Sequence, residues 1–249
     1  MSSDVIVITG AGRGIGAATA RLAGERGYAV VVNYLRDGES AQRVADAIAA
    51  AGGRALAIAA DISRESEVER LFREVDRSFG TLSALVNNAG IVDQMLRVSD
   101  MSEARLQRMF AVNVLGSFLC AREAVRRMST RHGGRGGSIV NVSSAASRHG
   151  SPGEYVDYAA SKAAIDTFTL GLAREVAAEG IRVNAVRPGI IETSIHADGG
   201  DPERAQRMGP SLPMQRAGDP EEVARAILWL VSGEASYSAG AILDVAGGR

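Results

Sequence analysis

Cysteine is almost absent from this chain: Cys120 stands alone, which excludes an intrachain disulfide and a cysteine-built metal cluster. Its neighbours Phe118, Leu119 and Ala121 predict a buried thiol, not a nucleophile. Histidine is nearly as scarce. His132, His149 and His196 are scattered along the chain and lack the clustered spacing of metal ligands, so no metal is expected and loop or pocket roles are. Neither charge sign is in excess. A formal net charge of −1 gives no basis for binding nucleic acid or an anionic membrane. Long apolar runs are missing too: Ala226 to Val231 falls far short of the ~20 residues that cross a bilayer. The opening Met-Ser-Ser-Asp has no basic region, apolar stretch or small-residue cleavage site of a secretory signal. A cytoplasmic protein is expected, in which the Asn141-Val142-Ser143 sequon stays idle because glycosylation needs the secretory route.

What is present is an ordinary globular composition, 46% hydrophobic and 23% charged over 249 residues, enough for a sizeable core without metal or disulfide staples. Short apolar runs at Val5–Ile8, Ala29–Val32, Ala55–Ala60, Leu82–Val86, Ile139–Val142, Ile181–Val186 and Ala241–Val245 read as strands, the first two rich in β-branched residues. Between them lie stripes at helical spacing: Ala41, Val44, Ala45, Ile48; Val68, Leu71, Phe72, Val75, Phe79; and Val223, Ala226, Ile227, Leu230. Continuous apolar strands alternating with amphipathic helices imply a parallel sheet covered on both faces. Right-handed crossovers make it a doubly wound, Rossmann-type α/β sheet of about seven strands. One domain is expected over 1–249. The stretch at about 190–216, rich in Gly, Pro, Met and charge, has no clear period and reads as a substrate loop or, alternatively, a disordered excursion.

Thr9-Gly10-Ala11-Gly12-Arg13-Gly14-Ile15-Gly16 joins the first strand to the first helix. Glycines there allow a tight turn and bring backbone N–H groups to a pyrophosphate at the helix N-terminus. A P-loop is excluded because no Gly-Lys-Ser/Thr follows. Further on, Tyr158 and Lys162 are four residues apart and share a face if their segment is helical. A phenol with an ordinary pKa of about 10 is ionised only about once in a thousand at neutral pH. An ammonium that lowered it by ~2–3 units would turn it into a usable acid/base. Taken alone, the pair also fits a surface Tyr and Lys on an alanine-rich helix.

The combination is more specific. T-G-x-x-x-G-x-G, then Asn87-Asn88-Ala89-Gly90 after the fourth strand, Asn113, a serine after the fifth strand, Tyr158-x-x-x-Lys162 and Pro188-Gly189 to Thr193 resembles the short-chain dehydrogenase/reductase family, in its order and over essentially the whole chain. The glucose and ribitol dehydrogenase branch and the 3-oxoacyl-carrier-protein reductase branch are the points of resemblance.

That resemblance implies NAD or NADP binding and hydride exchange between a secondary alcohol and a ketone. It places Gly10, Gly14 and Gly16 at the pyrophosphate turn, with Gly12, Arg13 and Ile15 between them. Asp61 and Ile62 flank the adenine, and Asn87, Ala89 and Gly90 form the central wall. Pro188, Gly189, Ile191 and Thr193 meet the nicotinamide end. Tyr158 is implied as acid/base, Lys162 as the group that binds the nicotinamide ribose and lowers the Tyr158 pKa, Ser144 as a hydrogen-bonding partner of the reacting oxygen, and Asn113 as support for a water chain. Asn113 also fits a helix-bending polar residue. Ser143 and Ser144 compete for one role, since they lie fifteen and fourteen residues before Tyr158 where the family has about thirteen; the match to Val142-Ser143-Ser144 at the strand end selects Ser144. The extra residue is expected between Ser147 and Asp157.

After the second strand stands Asn33-Tyr34-Leu35-Arg36 in place of the acidic residue that would repel a 2′-phosphate. Neutral Asn33, with Tyr34 beside it and Arg13 and Arg36 able to pair with a phosphate, favours NADP(H), with NAD(H) the alternative because Asp37 dissents. Tyr155, Glu154, Ile190, Ile195, His196 and Met208 are expected around a small-molecule alcohol or ketone. Arg131, Arg135 and Arg148 offer a weak basic rim for an acyl carrier protein. Phe110, Val114 and Phe118, at four-residue spacing, supply either core or the interface of a homotetramer or homodimer. A non-catalytic dinucleotide sensor of the same fold is the competing reading, which the full Asn113, Ser144, Tyr158, Lys162 set opposes. A hydrolase using Ser144 lacks the G-x-S-x-G elbow.

Overall fold

Strand and helix alternate from Val5 onward in the computed structural model, which describes residues 4–249. The first half runs β1 Val5–Ile8, α1 Gly14–Glu25, β2 Ala29–Tyr34, α2 Gly38–Ala50, β3 Arg54–Ala59, α3 Glu65–Ser78 and β4 Leu82–Asn87. There follow α4 Glu103–Phe110, α5 Gly116–Met128, β5 Gly137–Val142, α6 Ala146–His149, α7 Val156–Val176 and β6 Ile181–Pro188. The chain ends with α8 Ile195–Asp198, α9 Arg204–Met208, α10 Pro220–Val231 and β7 Ile242–Val245.

The seven strands make one parallel sheet in the order β3-β2-β1-β4-β5-β6-β7. Because strand side chains alternate between faces, each central strand feeds two cores. Val5, Val7, Val31, Leu85, Ile139 and Val183 pack with Val68, Leu71, Phe72 and Val75 of α3 and with Leu119, Cys120 and Ala124 of α5. Ile6, Ile8, Val30, Val32, Val86 and Val140 face the other way, onto Ala17 and Ala20 of α1, Val44 and Ile48 of α2, and Val223 and Ile227 of α10. Cys120 is buried, and burial pushes its thiol up to about 12, so it stays protonated. The chain leaves β1 outward through β2 and β3, then crosses back to β4 on the other side. That reversal opens a crevice beyond the carboxyl ends of β1 and β4, where such sheets bind ligands.

Two local departures from sequence expectation matter for function. Strand β2 continues through Asn33 and Tyr34, which pair in register with Ile58 and Ala59, so Asn33 belongs to the strand and not to the loop after it. And α4 runs into α5 through a π-turn at Ala111–Leu115, closed by Gly116 N–H donating to the Ala111 carbonyl five residues back. Asn113 sits inside that turn, fully buried. One-turn π-bulges recur at functional positions because they rotate a side chain out of the regular helical register. Residues 190–216 hold α8, α9 and a 3₁₀ turn at Gly209–Ser211, with their own apolar cluster of Ile190, Ala205, Leu212 and Ala217. No helix among the described residues is long and apolar enough to cross a membrane.

Candidate active site

A cleft of about 760 Å³ runs along the carboxyl ends of the strands. At its mouth is the glycine turn. Gly10 and Gly14 have φ of 62° and 54°, the left-handed region that glycine tolerates. The turn is tied down from below. Thr9 Oγ1 accepts from the N–H groups of Asn88 and Ala89, each at 3.0 Å, and the Asn88 side chain donates back to the carbonyls of Thr9 and Gly10 at 2.9 and 3.0 Å. Helix α1 starts without any side-chain cap, whereas Asp37, Ser102 and Asp219 cap α2, α4 and α10. Uncapped N–H groups behind an open glycine turn fit a pyrophosphate. Gly16 plays another part. It does not line the cleft; a Cβ there would lie 2.6 Å from the Gly10 carbonyl oxygen and 2.9 Å from Ala11 Cα. Its role is to let helix and turn pack closely.

Gly12, Arg13, Ile15, Tyr34, Arg36, Asp61, Ile62, Ala89 and Gly90 all line the cleft. Asn33 forms part of the floor, but its carboxamide is already committed. Nδ2 donates to the carbonyls of Ile58 and Ala60 at 3.3 and 3.1 Å, and Oδ1 accepts from Gly10 N at 3.3 Å. Because β2 extends two residues further than its apolar run, Asn33 clamps the glycine turn to β3 instead of reaching outward. Asp37 is likewise occupied: it accepts from Ser40 N at 2.9 Å, and its bonds to Ser40 hold its carboxyl below the usual range. Arg13 is drawn across the cleft into an ion pair with Asp198 and a 3.1 Å bond to Ser194 Oγ. Arg36 forms no ion pair among the described residues.

Asn87 is buried, not cleft-lining: its Nδ2 donates to Ser117 O at 3.2 Å and Asn141 Oδ1 at 2.9 Å. Asp61 accepts from Ser63 N and Oγ at 3.0 and 2.6 Å, which fixes the turn above Ile62.

Helix α7 brings Tyr158 and Lys162 onto the cleft-facing side, opposite the end of β5. Lys162 is the only lysine in the chain; every other long cationic side chain is arginine. Its Nζ donates to the Val142 carbonyl at 2.8 Å and stands 5.7 Å from the Tyr158 ring centroid. A Cβ on Gly90 would come within 3.2 Å of it, so glycine is what leaves the ammonium room. Burial pushes Lys162 down to about 8. Tyr158 goes the other way: burial raises the phenol above its ordinary value, with the Ser144 side chain pulling it down by less. Burial disfavours the charged phenolate, which is the cause of that rise.

Ser143 and Ser144 both line the cleft, but Ser143 is buried and its Oγ donates to the Lys162 carbonyl at 3.1 Å. Ser144 Oγ accepts from Ala146 N at 3.1 Å, so the two hydroxyls differ in which one has already given its proton. Asn113 lies behind this surface: Oδ1 accepts from Ile91 N at 2.8 Å, and Nδ2 donates to Ile91 O and Ser161 Oγ, both at 3.0 Å. Between the serine and the tyrosine the chain takes a tight path through Gly150 and Ser151, with φ of 75° and 44°. A positive φ at serine is strained, and Ser151 lines the cleft.

Pro188, Gly189, Ile191 and Thr193 line the inner end, joined by Tyr155, Ile190, Ile195 and His196. Glu154 and Met208 do not reach it: Glu154 is paired with Arg204, and Met208 packs on the small cluster beneath the loop. Sequence reasoning missed Asn88, Ser151, Asp198, Arg204 and Arg249 as cleft or cradle residues, whereas His149 and His196 line the cleft in keeping with the loop or pocket roles expected of the histidines. Only Asn88 carried a local signal, from its place in Asn87-Asn88-Ala89-Gly90. The expected basic rim does not form. Arg131 pairs with Glu179 and Arg135 lies in a separate hollow beside Gly136 and Arg182, both toward the amino ends of the strands.

The comparisons agree with this geometry. A family model described as enoyl-(acyl carrier protein) reductase matches residues 10–249. An uncharacterized oxidoreductase of Escherichia coli K12, YgfF, is 54% identical over 98% of this chain and 99% of its own. Glucose 1-dehydrogenase 2 of Bacillus subtilis is 38% identical over 100% of this chain and 95% of its own. A short-chain dehydrogenase/reductase mutant from Serratia marcescens superimposes with a TM-score of 0.90 at 33% identity, covering 98% of this chain and 97% of that one. The chain belongs to the short-chain dehydrogenase/reductase family and is an oxidoreductase that acts on CH–OH groups with a nicotinamide dinucleotide.

Proposed function

We propose that this protein is an NADP(H)-dependent oxidoreductase that interconverts a secondary alcohol and a ketone, with Tyr158 as the general acid/base. The observation that carries the reading is the convergence of Ser144, Tyr158 and Lys162 on one wall of the cleft, beyond an open glycine turn. The cofactor, when bound, supplies or accepts the hydride. The protein's own task is to orient the carbonyl and move one proton. Ser144 Oγ donates to the substrate oxygen and Tyr158 Oη gives it the proton on reduction. Lys162, with a single acceptor at Val142, has further N–H groups for the ribose of the dinucleotide. The positive charge of Lys162 also favours the phenolate as it forms. Asn113 holds the Ile91 backbone and the α7 hydroxyl of Ser161 together behind the pair, where a proton path to solvent passes.

NADP(H) is favoured over NAD(H) by Arg36, a cation at the adenosine end with no carboxylate partner among the described residues, and by the turning of Asp37 into a helix cap. Residues 190–216 form the substrate loop, whose Thr193 to Asp198 segment faces the glycine turn across the cleft. A cytoplasmic setting, where the nicotinamide pool is found, suits the buried free thiol. Phe110 and Phe118, 39% and 46% exposed beside Leu106, Leu115 and Leu170, form an apolar stripe that supports a homotetramer or homodimer.

Tyr158→Phe tests the mechanism. Turnover should fall by at least about 10²-fold while the NADPH dissociation constant changes little; near-normal turnover refutes the assignment. Arg36→Ala should weaken NADPH more than NADH, and equal losses refute the phosphate role.

A further inference from the structure

The reacting end of the cleft holds more positive charge than its own carboxylates answer. Arg148, Arg187 and Arg207 do not line the cleft and are paired, with Asp244 at 2.7 Å, Asp166 at 2.9 Å and Asp201. Arg204, buried in the cleft wall, pairs with Glu154 at 2.6 Å and lies over the Tyr155 ring, 5.4 Å from its centroid. Arg249 is different. It lines the same cleft, is half-buried, and forms no ion pair among the described residues. Its position is held by packing. The chain before it runs so close to the end of β6 that a Cβ on Gly189 would lie 2.8 Å from Ala246 Cα, Gly247 and Gly248 pack on Met214 and Pro213, and Arg249 N donates to Ala246 O at 3.2 Å.

The neighbouring charges feel this crowding. Burial first and Arg204 second hold Arg249 below its usual range, and burial followed by Arg249 lowers His149. His149 lines the cleft as well, with Nδ1 facing the Ser151 N–H at 3.4 Å, which leaves Nε2 as its donor. Two guanidinium groups and an imidazole N–H around one apolar-walled space, one guanidinium unanswered, fit an arriving anion.

We propose that the natural substrate is an anionic alcohol or ketone whose carboxylate or phosphate docks on Arg249, with Arg204 and His149 beside it, and that Arg249 determines specificity for it. The inference rests on the oxidoreductase reading above and names the substrate class of that same site. Arg249 touches the non-reacting end of the substrate, so it acts on binding and orientation and not on proton transfer.

The test compares matched probes in the presence of NADPH: levulinate against methyl levulinate, and dihydroxyacetone phosphate against dihydroxyacetone. One anion should exceed its neutral partner by about tenfold or more in kcat/KM, and which pair shows it separates carboxylate from phosphate. Arg249→Gln should abolish most of that preference through KM, leave the neutral probe within about twofold, and Arg249→Lys should restore part of it. Neutral probes turned over as well as both anions, or Arg249→Gln slowing both members of a pair equally, overturns the anion subsite while the reductase stands. No turnover of any member by the wild-type protein, with NADPH bound, likewise overturns this inference, while the chain's place among the short-chain oxidoreductases stands.

Discussion

Asp157→Asn should be among the most damaging conservative substitutions in the protein, because it breaks a closed ion pair next to Tyr158, the proposed acid/base. Arg105 Nε and Nη2 donate to the two Asp157 oxygens at 2.8 and 3.2 Å, and Nη1 donates to Gln94 O at 2.6 Å. The two side chains are 6% and 0% exposed. The bond to Asp157 raises the Arg105 pKa, and a guanidinium is basic enough by itself to stay charged when that partner is replaced. Removing one member of a buried pair leaves an uncompensated charge and typically costs about 3–5 kcal/mol. For a chain of this size, about 2–4 °C per kcal/mol gives a fall in Tm of about 6–20 °C.

Replacing both members is the informative control. Arg105→Met with Asp157→Leu removes both charges and should recover most of the loss. Urea unfolding, read as a shift of midpoint at constant slope, measures each variant. Asp157 directly precedes Tyr158 in the first turn of α7, so the single variant should also lower kcat more than it raises the KM for NADPH. A loss below about 1 kcal/mol in Asp157→Asn, or a double variant no better than the single, refutes the reasoning.

Three further outcomes follow from the geometry. Gly16→Ala places a Cβ against the backbone of Gly10 and Ala11, so it should lose about 1–3 kcal/mol of stability and most NADPH affinity; a variant normal in both would show that the turn can yield. Lys162, lowered to about 8, should be arylated by trinitrobenzenesulfonate, with loss of sulfite, at a rate that climbs with pH through about 8 and then levels off as the free amine saturates, and NADPH should protect it. A rate still climbing past pH 10, as for an ordinary lysine near 10.4, or no protection, counts against that environment. Phe118, 46% exposed and stacked on Phe168 at 3.8 Å between ring centroids, is the residue to change for assembly. Phe118→Asp should shift sedimentation toward monomer while circular dichroism is retained, and an unchanged sedimentation coefficient sets the stripe aside.

Much of the fold was legible without coordinates because its signals are local. The seven short apolar runs read as strands, buried on both faces except at the edges β3 and β7, and the stripes at Val44/Ile48 and Val68/Leu71/Phe72/Val75 read as helices lying on them. The order Gly10 to Gly16, Asn87 to Gly90, Tyr158 and Lys162 likewise lies in the sequence itself, since a turn, a cap or an i,i+4 face needs only neighbours along the chain. Long-range partners are invisible there. Nothing local says that Asn33 will spend its amide on Ile58, Ala60 and Gly10, or that Arg13 will meet Asp198 across the cleft, because hydrogen bonds and ion pairs are chosen by distance in space. The same holds for the phenol of Tyr158, whose charge state depends on how completely the sheet and helices exclude water from it. His149, Arg204 and Arg249 come from three separate stretches of chain. Only the folding of β5, the 190–216 loop and the segment after β7 onto one cleft end makes them a single charged surface.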